Sequence, residues 1–98
     1  MTNYRFPDGA AIVFGGSGGL GSGVVDLLSK CGTDVALTYF KNKDAADENI
    51  EKIKVNGQKG YASSVDLLDV KQVEDFVNTS KKEFGRIHSV IFATGPFL

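Results

Sequence analysis

Apolar positions change period along this chain in a regular way. Ala10-Ala11-Ile12-Val13-Phe14 is an unbroken apolar run, the pattern of a strand buried on both faces. Leu20, Val24, Leu27 and Leu28 then recur at i, i+4, i+7 and i+8, which predicts a helix with that face inward. Gly32 stands where a glycine ends a helix. Val35-Ala36-Leu37-Thr38-Tyr39 reads as a second buried strand. Asn42 or Asp44 is placed to cap a second helix, with Ala46, Ile50 and Ile53 on its inner face and Gly57 at its end. Lys59 to Val65 is a more polar strand, suited to a sheet edge. Asp69-Val70-Lys71-Gln72 has the spacing of a capping box, with Asp in place of Ser or Thr. Val73, Phe76, Val77 and Phe84 trace a third helical face, which Gly85 closes. Ile87 to Ala93 is a fourth, mostly apolar strand.

The order βαβαβαβ predicts an α/β fold with a doubly wound parallel sheet and right-handed crossovers. The common solution adds three strands in one direction and returns to the other side of the first, giving the order 3-2-1-4. The first two helices then cover one face and the third covers the other. The fourth strand is left at an edge. Val90-Ile91-Phe92 carries no charge and no proline, so residues 1–98 alone are expected to be marginal and to dimerise through that edge or aggregate; a homo-oligomer is also expected.

Composition narrows the partners. The chain of 98 residues fits one domain. A hydrophobic share of 42% against 23% charged is globular and argues against disorder. Lys and Arg number 11 and Asp and Glu 12, so the net charge is −1 and no basic footprint for nucleic acid exists. No apolar run approaches the ~20 residues of a membrane span, and the start MTNYRFPDGA has no signal-peptide core. A cytoplasmic setting is therefore expected, and the single cysteine, which can form no internal disulfide, agrees with it. His88 is the lone histidine and is read as structural, so no metal site is expected. Cys31 is read as a buried, inert thiol at the end of the first helix.

Five glycines fall between Gly15 and Gly21, after the first strand and before the first helix. There a small-residue turn lets backbone approach a pyrophosphate, and the helix N-terminus supplies amides and partial positive charge. Two frames fit. Gly16-Ser17-Gly18-Gly19-Leu20-Gly21 is G-x-G-x-x-G, and Gly15, Gly19 and Gly21 form G-x-x-x-G-x-G. In the second frame Gly15, Gly19 and Gly21 are expected to reject side chains, through backbone approach and helix–strand packing.

The segment Phe14 to Gly21 resembles the TGxxxGxG loop of the short-chain dehydrogenase/reductase family, with Phe14 in place of Thr. The resemblance continues through Val35-Ala36-Leu37-Thr38-Tyr39, Val65-Asp66-Leu67 and Glu83-Phe84-Gly85-Arg86-Ile87. It ends at Phe92-Ala93-Thr94-Gly95, where the family has Asn-Asn-Ala-Gly. The layout is most similar to 3-oxoacyl-carrier-protein reductases.

The resemblance implies a Rossmann-like cofactor domain in which Gly15, Ser17, Gly18, Gly19, Leu20 and Gly21 wrap the cofactor phosphates. By the same resemblance Asp66 meets the adenine amino group, Leu67 lies against the ring, and Ala93, Thr94 and Gly95 line the path to the nicotinamide ribose. NAD sites carry an acid ~20 residues beyond the loop, for the 2′-hydroxyl. Here that stretch is Tyr39-Phe40-Lys41-Asn42-Lys43, acid-free until Asp44. Lys41 and Lys43 would attract a 2′-phosphate, so NADP(H) is favoured over NAD(H).

Family members are longer than this chain, and their catalytic Ser and Tyr-x-x-x-Lys lie on later elements. No catalytic residue is therefore assigned here, and residues 1–98 alone are expected to be inactive. Tyr39 to Lys43 spells Tyr-x-x-x-Lys, but it falls at a strand-to-helix junction on the adenosine side. The implied function is the NADP(H)-binding half of an oxidoreductase. It would move hydride between the nicotinamide and a small carbonyl or alcohol substrate. A non-catalytic nucleotide-binding sensor or interaction module of the same fold is the alternative. A methyltransferase is a third reading, weakened by Tyr39 where such enzymes carry an acid.

Overall fold

The computed structural model describes residues 6–16 and 18–93. Its elements are β1 (Ala10–Phe14), α1 (Gly19–Lys30), β2 (Asp34–Tyr39), α2 (Lys43–Val55), β3 (Gly60–Ser64), α3 (Val70–Phe84) and β4 (Ile87–Phe92). The strands form one parallel sheet in the order β3-β2-β1-β4, as the pattern predicts. Each crossover helix must lie on the side that keeps its connection right-handed. The chain reverses direction across the sheet after β3, so α3 takes the opposite face from α1 and α2.

Two core layers result. Val13, Val35 and Leu37 meet Val25 and Leu28 of α1 and Ala46 and Ile53 of α2. On the other face Ile12, Phe14 and Ala36 meet Phe76 of α3, with Val73, Val77 and Phe84 partly buried beside it. Ile12, Val13, Val35, Leu37 and Ile53 are fully buried, and burying each such side chain contributes roughly 1.5–3 kcal/mol.

The inner face of α1 differs from the expected one. Gly21, Val25, Leu28 and Ser29 point inward, while Leu20 and Leu27 are 70% and 62% exposed. The cause is the contact at Gly21. A Cβ there would collide with the Gly15 carbonyl oxygen and lie 2.7 Å from the Gly16 Cα. That contact sets the rotation of the helix and overrides the apolar stripe.

On α2, Asn42 is the cap, its side chain accepting from the Ala45 N–H, and buried Asn49 stands beside the half-buried Ile50. Asp69 caps α3 by accepting from the Lys71 and Gln72 N–H groups. The Gln72 side chain does not close the box on the Asp69 N–H. It accepts from the Asp66 N–H and donates to the Asp69 carboxylate. Gly85 ends α3 in the left-handed region, at φ +77°. Cys31 is exposed, against expectation, because it sits at the C-cap of α1 beyond the last inward turn.

Candidate cofactor site at the strand ends

Because every strand is parallel, one edge of the sheet collects all the C-terminal ends. Gly15 follows β1, Phe40 follows β2, Val65 follows β3 and Ala93 follows β4. Backbone hydrogen bonds tie these ends together: Gly16 N–H to Thr38 O (3.0 Å), Val65 N–H to Tyr39 O (2.8 Å) and Ala93 N–H to Phe14 O (2.9 Å). β1 lies between β2 and β4, so the chain runs away from it on both sides. That is the topological switch point, where open α/β sheets bind ligands.

The five glycines divide into two groups. Gly15 has φ +85°. Gly16 has its Cβ position 2.8 Å from the Leu37 Cβ, and Gly21 packs on Gly15 and Gly16. The fold itself therefore requires glycine at these three positions. Gly18 and Gly19 are different. A Cβ at Gly18 would meet only the Gly15 carbonyl oxygen, at 4.0 Å, and one at Gly19 would meet nothing within 4 Å. Backbone conformation thus requires Gly15, and packing requires Gly16 and Gly21, the last shared by both frames, but not Gly19, against expectation. Gly18 is the N-cap of α1 and brings no side chain to cap it, and the first turn holds no acid. The result is a cradle over a bare helix N-terminus, open to an anion.

The loop is anchored from outside itself. The Gly15 N–H donates to Thr38 Oγ1 (2.9 Å). Asn49 Nδ2 donates to the Gly16 carbonyl (2.6 Å) and to Ser22 Oγ (3.0 Å). Thr38 and Asn49 are each 1% exposed. Sequence reading passed over both. The available signal was Asn49 at i+3 from Ala46, a polar residue on the inward face of α2.

The remaining expected residues fall as follows. Tyr39 ends β2 and Lys43 opens α2, so the Tyr-x-x-x-Lys pair does not share a helix face. Lys41 is exposed and its Nζ lies 5.4 Å from the centroid of the Phe40 ring. It makes no ion pair among the described residues. Lys43 binds Asp47 at 2.9 Å, and that hydrogen bond holds its pKa above the usual lysine value. Asp66 is half-buried, and its Oδ1 accepts from the Leu68 N–H (2.9 Å). Leu67 packs on the α3-side core. Ala93 is buried at the end of β4. Ser17, Thr94 and Gly95 lie outside the described residues. A shallow concavity between β3 and α3, lined by Tyr61, Ser63, Gln72 and Phe76, includes neither the loop nor the lysines. No metal-binding cluster occurs among the described residues, and no helix there is long and apolar enough to cross a membrane.

Gly-rich loop, uncapped helix and switch point together mark the ligand end of a doubly wound α/β architecture. The model of the family described as short chain dehydrogenase matches residues 9–96, and the chain belongs to that family. It is 32% identical over 85 residues to a hydroxynaphthalene reductase from Aspergillus fumigatus, covering 87% of this chain and 31% of that protein. It is 31% identical over 96 residues to the "probable NADP-dependent mannitol dehydrogenase" of Yarrowia lipolytica, covering 97% and 34%. A short-chain dehydrogenase/reductase structure from Serratia marcescens superposes with a TM-score of 0.88 at 28% identity, covering 96% of this chain and 38% of that one. The chain thus spans about a third of the length of the relatives it matches.

Against the family pattern, Phe14 replaces a Thr and Phe92 an Asn. In space the two replacements are one. Phe14 and Phe92 are register partners on β1 and β4, and their rings stack at 4.9 Å, 17° from parallel.

Proposed function

We propose that this chain is the NADP(H)-binding part of an oxidoreductase acting on a small carbonyl or alcohol substrate. One observation carries the reading. Gly18 and Gly19 lack any neighbour that would demand glycine, yet they sit where a pyrophosphate would meet the N-terminus of α1. When bound, such a cofactor supplies or accepts the hydride. The residues here hold it: loop amides and the helix end receive the phosphates, and Asp66 and Leu67 flank the adenine side. Preference for the 2′-phosphate is supported by Lys41 and Lys43 and by the absence of an acid between Tyr39 and Lys43. The name of the Yarrowia relative points the same way.

A cytoplasmic setting and a homo-oligomeric protein belong to the same reading. The exposed free thiol of Cys31 supports the first.

The test is titration of NADPH and NADH into the protein and into a Lys41→Glu/Lys43→Glu variant. NADPH is expected to bind roughly ten-fold more tightly than NADH, as one charge-assisted contact allows, and the variant is expected to lose that margin. Equal affinities in the parent remove the NADP(H) preference. Absence of binding by either cofactor removes the reading.

A further inference from the structure

We infer that Asn49 is a positioning residue for the phosphate loop, and that α2 thereby links the two ends of the cofactor site. The inference rests on the functional reading above, but its structural half stands on the loop alone. A run of glycines loses more conformational freedom on ordering than any other sequence, so its shape must be imposed from outside. Among the described residues outside the turn, two side chains hold it. Thr38 accepts from the Gly15 N–H, and Asn49 donates to the Gly16 carbonyl at 2.6 Å. Only the NH₂ end of the amide can satisfy a carbonyl, so the orientation of Asn49 is determined by its partner. Its second donor contact, to Ser22 Oγ on α1, holds the amide plane across the loop and the helix that follows it.

Asn49 is 1% exposed, so this bond is made out of water. Gly16 is itself buried, so without that donor its carbonyl would lose its side-chain partner out of water. Relaxation of that carbonyl would rotate the peptide that leaves Gly16 toward the start of α1. The same helix starts at Lys43, directly after Lys41 and the Asn42 cap. α2 therefore carries Lys43 at its start and the loop anchor within it, with Lys41 two residues before its first helical residue. Ordering either end orders the other.

The experiment compares Asn49→Leu, Ser22→Ala and Ile53→Ala with the parent protein. Asn49→Leu preserves shape and removes the donor. Ile53→Ala damages the same buried face of α2 without touching the loop. NADPH affinity is measured by titration under conditions where each variant is folded, and amide exchange at Gly15, Gly16 and Ser22 is measured without cofactor. Asn49→Leu is expected to weaken NADPH binding about ten-fold or more and to speed loop exchange by a similar factor. Ser22→Ala, which keeps a good helix former, is expected to fall between, at about three-fold. Ile53→Ala is expected to stay within two-fold on both measures once its folded fraction is corrected. The inference is overturned if Asn49→Leu affects binding and exchange no more than Ile53→Ala does. If Asn49→Leu does not fold, Ser22→Ala decides, and parental binding and exchange in that variant overturn it. A parent that binds neither NADPH nor NADH removes the functional reading instead. The cofactor-free exchange comparison then still decides whether Asn49 sets the loop.

Discussion

β1 has a neighbour on each side, and the two pairings end differently. Toward β2, the strand end is finished by polar groups: Thr38 takes the Gly15 N–H, and Asn49 reaches across to the Gly16 carbonyl. Toward β4, it is finished by stacked rings, with Phe14 only 4% exposed and Phe92 70% exposed. The first arrangement is directional and out of water, so it dictates backbone shape as well as contributing stability. The second is apolar and partly wet, and it holds two strand ends together without aiming any group. The polar side is the one that carries the loop. Where a backbone must present its amides in one geometry, hydrogen bonds do the work that packing cannot.

The strongest way to break this contrast is at Gly21. Gly21→Val drives a side chain into the Gly15 carbonyl, and it is expected to destabilise the domain by about 3 kcal/mol and abolish cofactor binding. Gly19→Val has open space around it and is expected to abolish binding while leaving the urea midpoint near that of the parent. A Gly19→Val protein that binds NADPH normally would show that the cradle is not used.

Next come the two finishes themselves. Thr38→Val keeps the shape of a fully buried β2 residue but strands the Gly15 N–H, at an expected cost of about 1–3 kcal/mol. Phe92→Ala loses one stacked partner of a mostly exposed ring and is expected to cost about 1 kcal/mol, with binding unchanged. Urea denaturation of both variants, with NADPH titration alongside, measures the difference. If Phe92→Ala weakened binding more than Thr38→Val, the assignment of roles to the two sides would be reversed.

A finer separation lies beyond β2. Lys43 is engaged by Asp47, whereas Lys41 makes no ion pair among the described residues. Lys41→Glu is therefore expected to narrow the NADPH over NADH margin more than Lys43→Glu, by a few-fold. Parallel titrations of the single variants read this directly.

The smallest expected effect is on the β4 side and depends on pH. His88 stacks on Phe6, with Nε2 2.8 Å from Thr33 Oγ1 and Nδ1 2.9 Å from Ser89 Oγ. Burial, and secondarily the Arg86 charge, hold its pKa below the ordinary histidine value of 6.5. The unfolded chain then binds more protons than the folded one as pH falls through that value. The contribution of His88 is present above about pH 6.5 and declines as the solution is acidified toward its lowered folded pKa. Melting temperatures of the parent and of His88→Gln between pH 7.5 and 5.5 are expected to converge toward the acid end. A parent advantage that grows on acidification would contradict the sign.

Much of this was legible in the sequence. Strand and helix periods, the glycine punctuation and the order of elements led to the order 3-2-1-4 and to the family. The departures are instructive. The rotation of α1 was misread because Leu20, Val24, Leu27 and Leu28 form a better apolar stripe than Gly21, Val25 and Leu28. Hydrophobic pattern has no way of recording that a glycine must touch another backbone. Cys31 was misread for a related reason, since its exposure follows from where α1 stops.

The amino-acid sequence by itself determined the kind, order and approximate span of each element, because caps, stop glycines and apolar period are local properties of a few neighbouring residues. It also determined that the stretch after β2 is basic and free of acid. Only the tertiary structure decided which loop glycines are required by packing and which are left open, since that depends on where Leu37, Gly15 and Gly16 lie around them. It alone joined Phe14 to Phe92 and brought Asn49 onto Gly16, partners separated by 78 and 33 positions in the chain. Such pairings arise from parallel strand register and the rotation of packed helices, which no local pattern encodes.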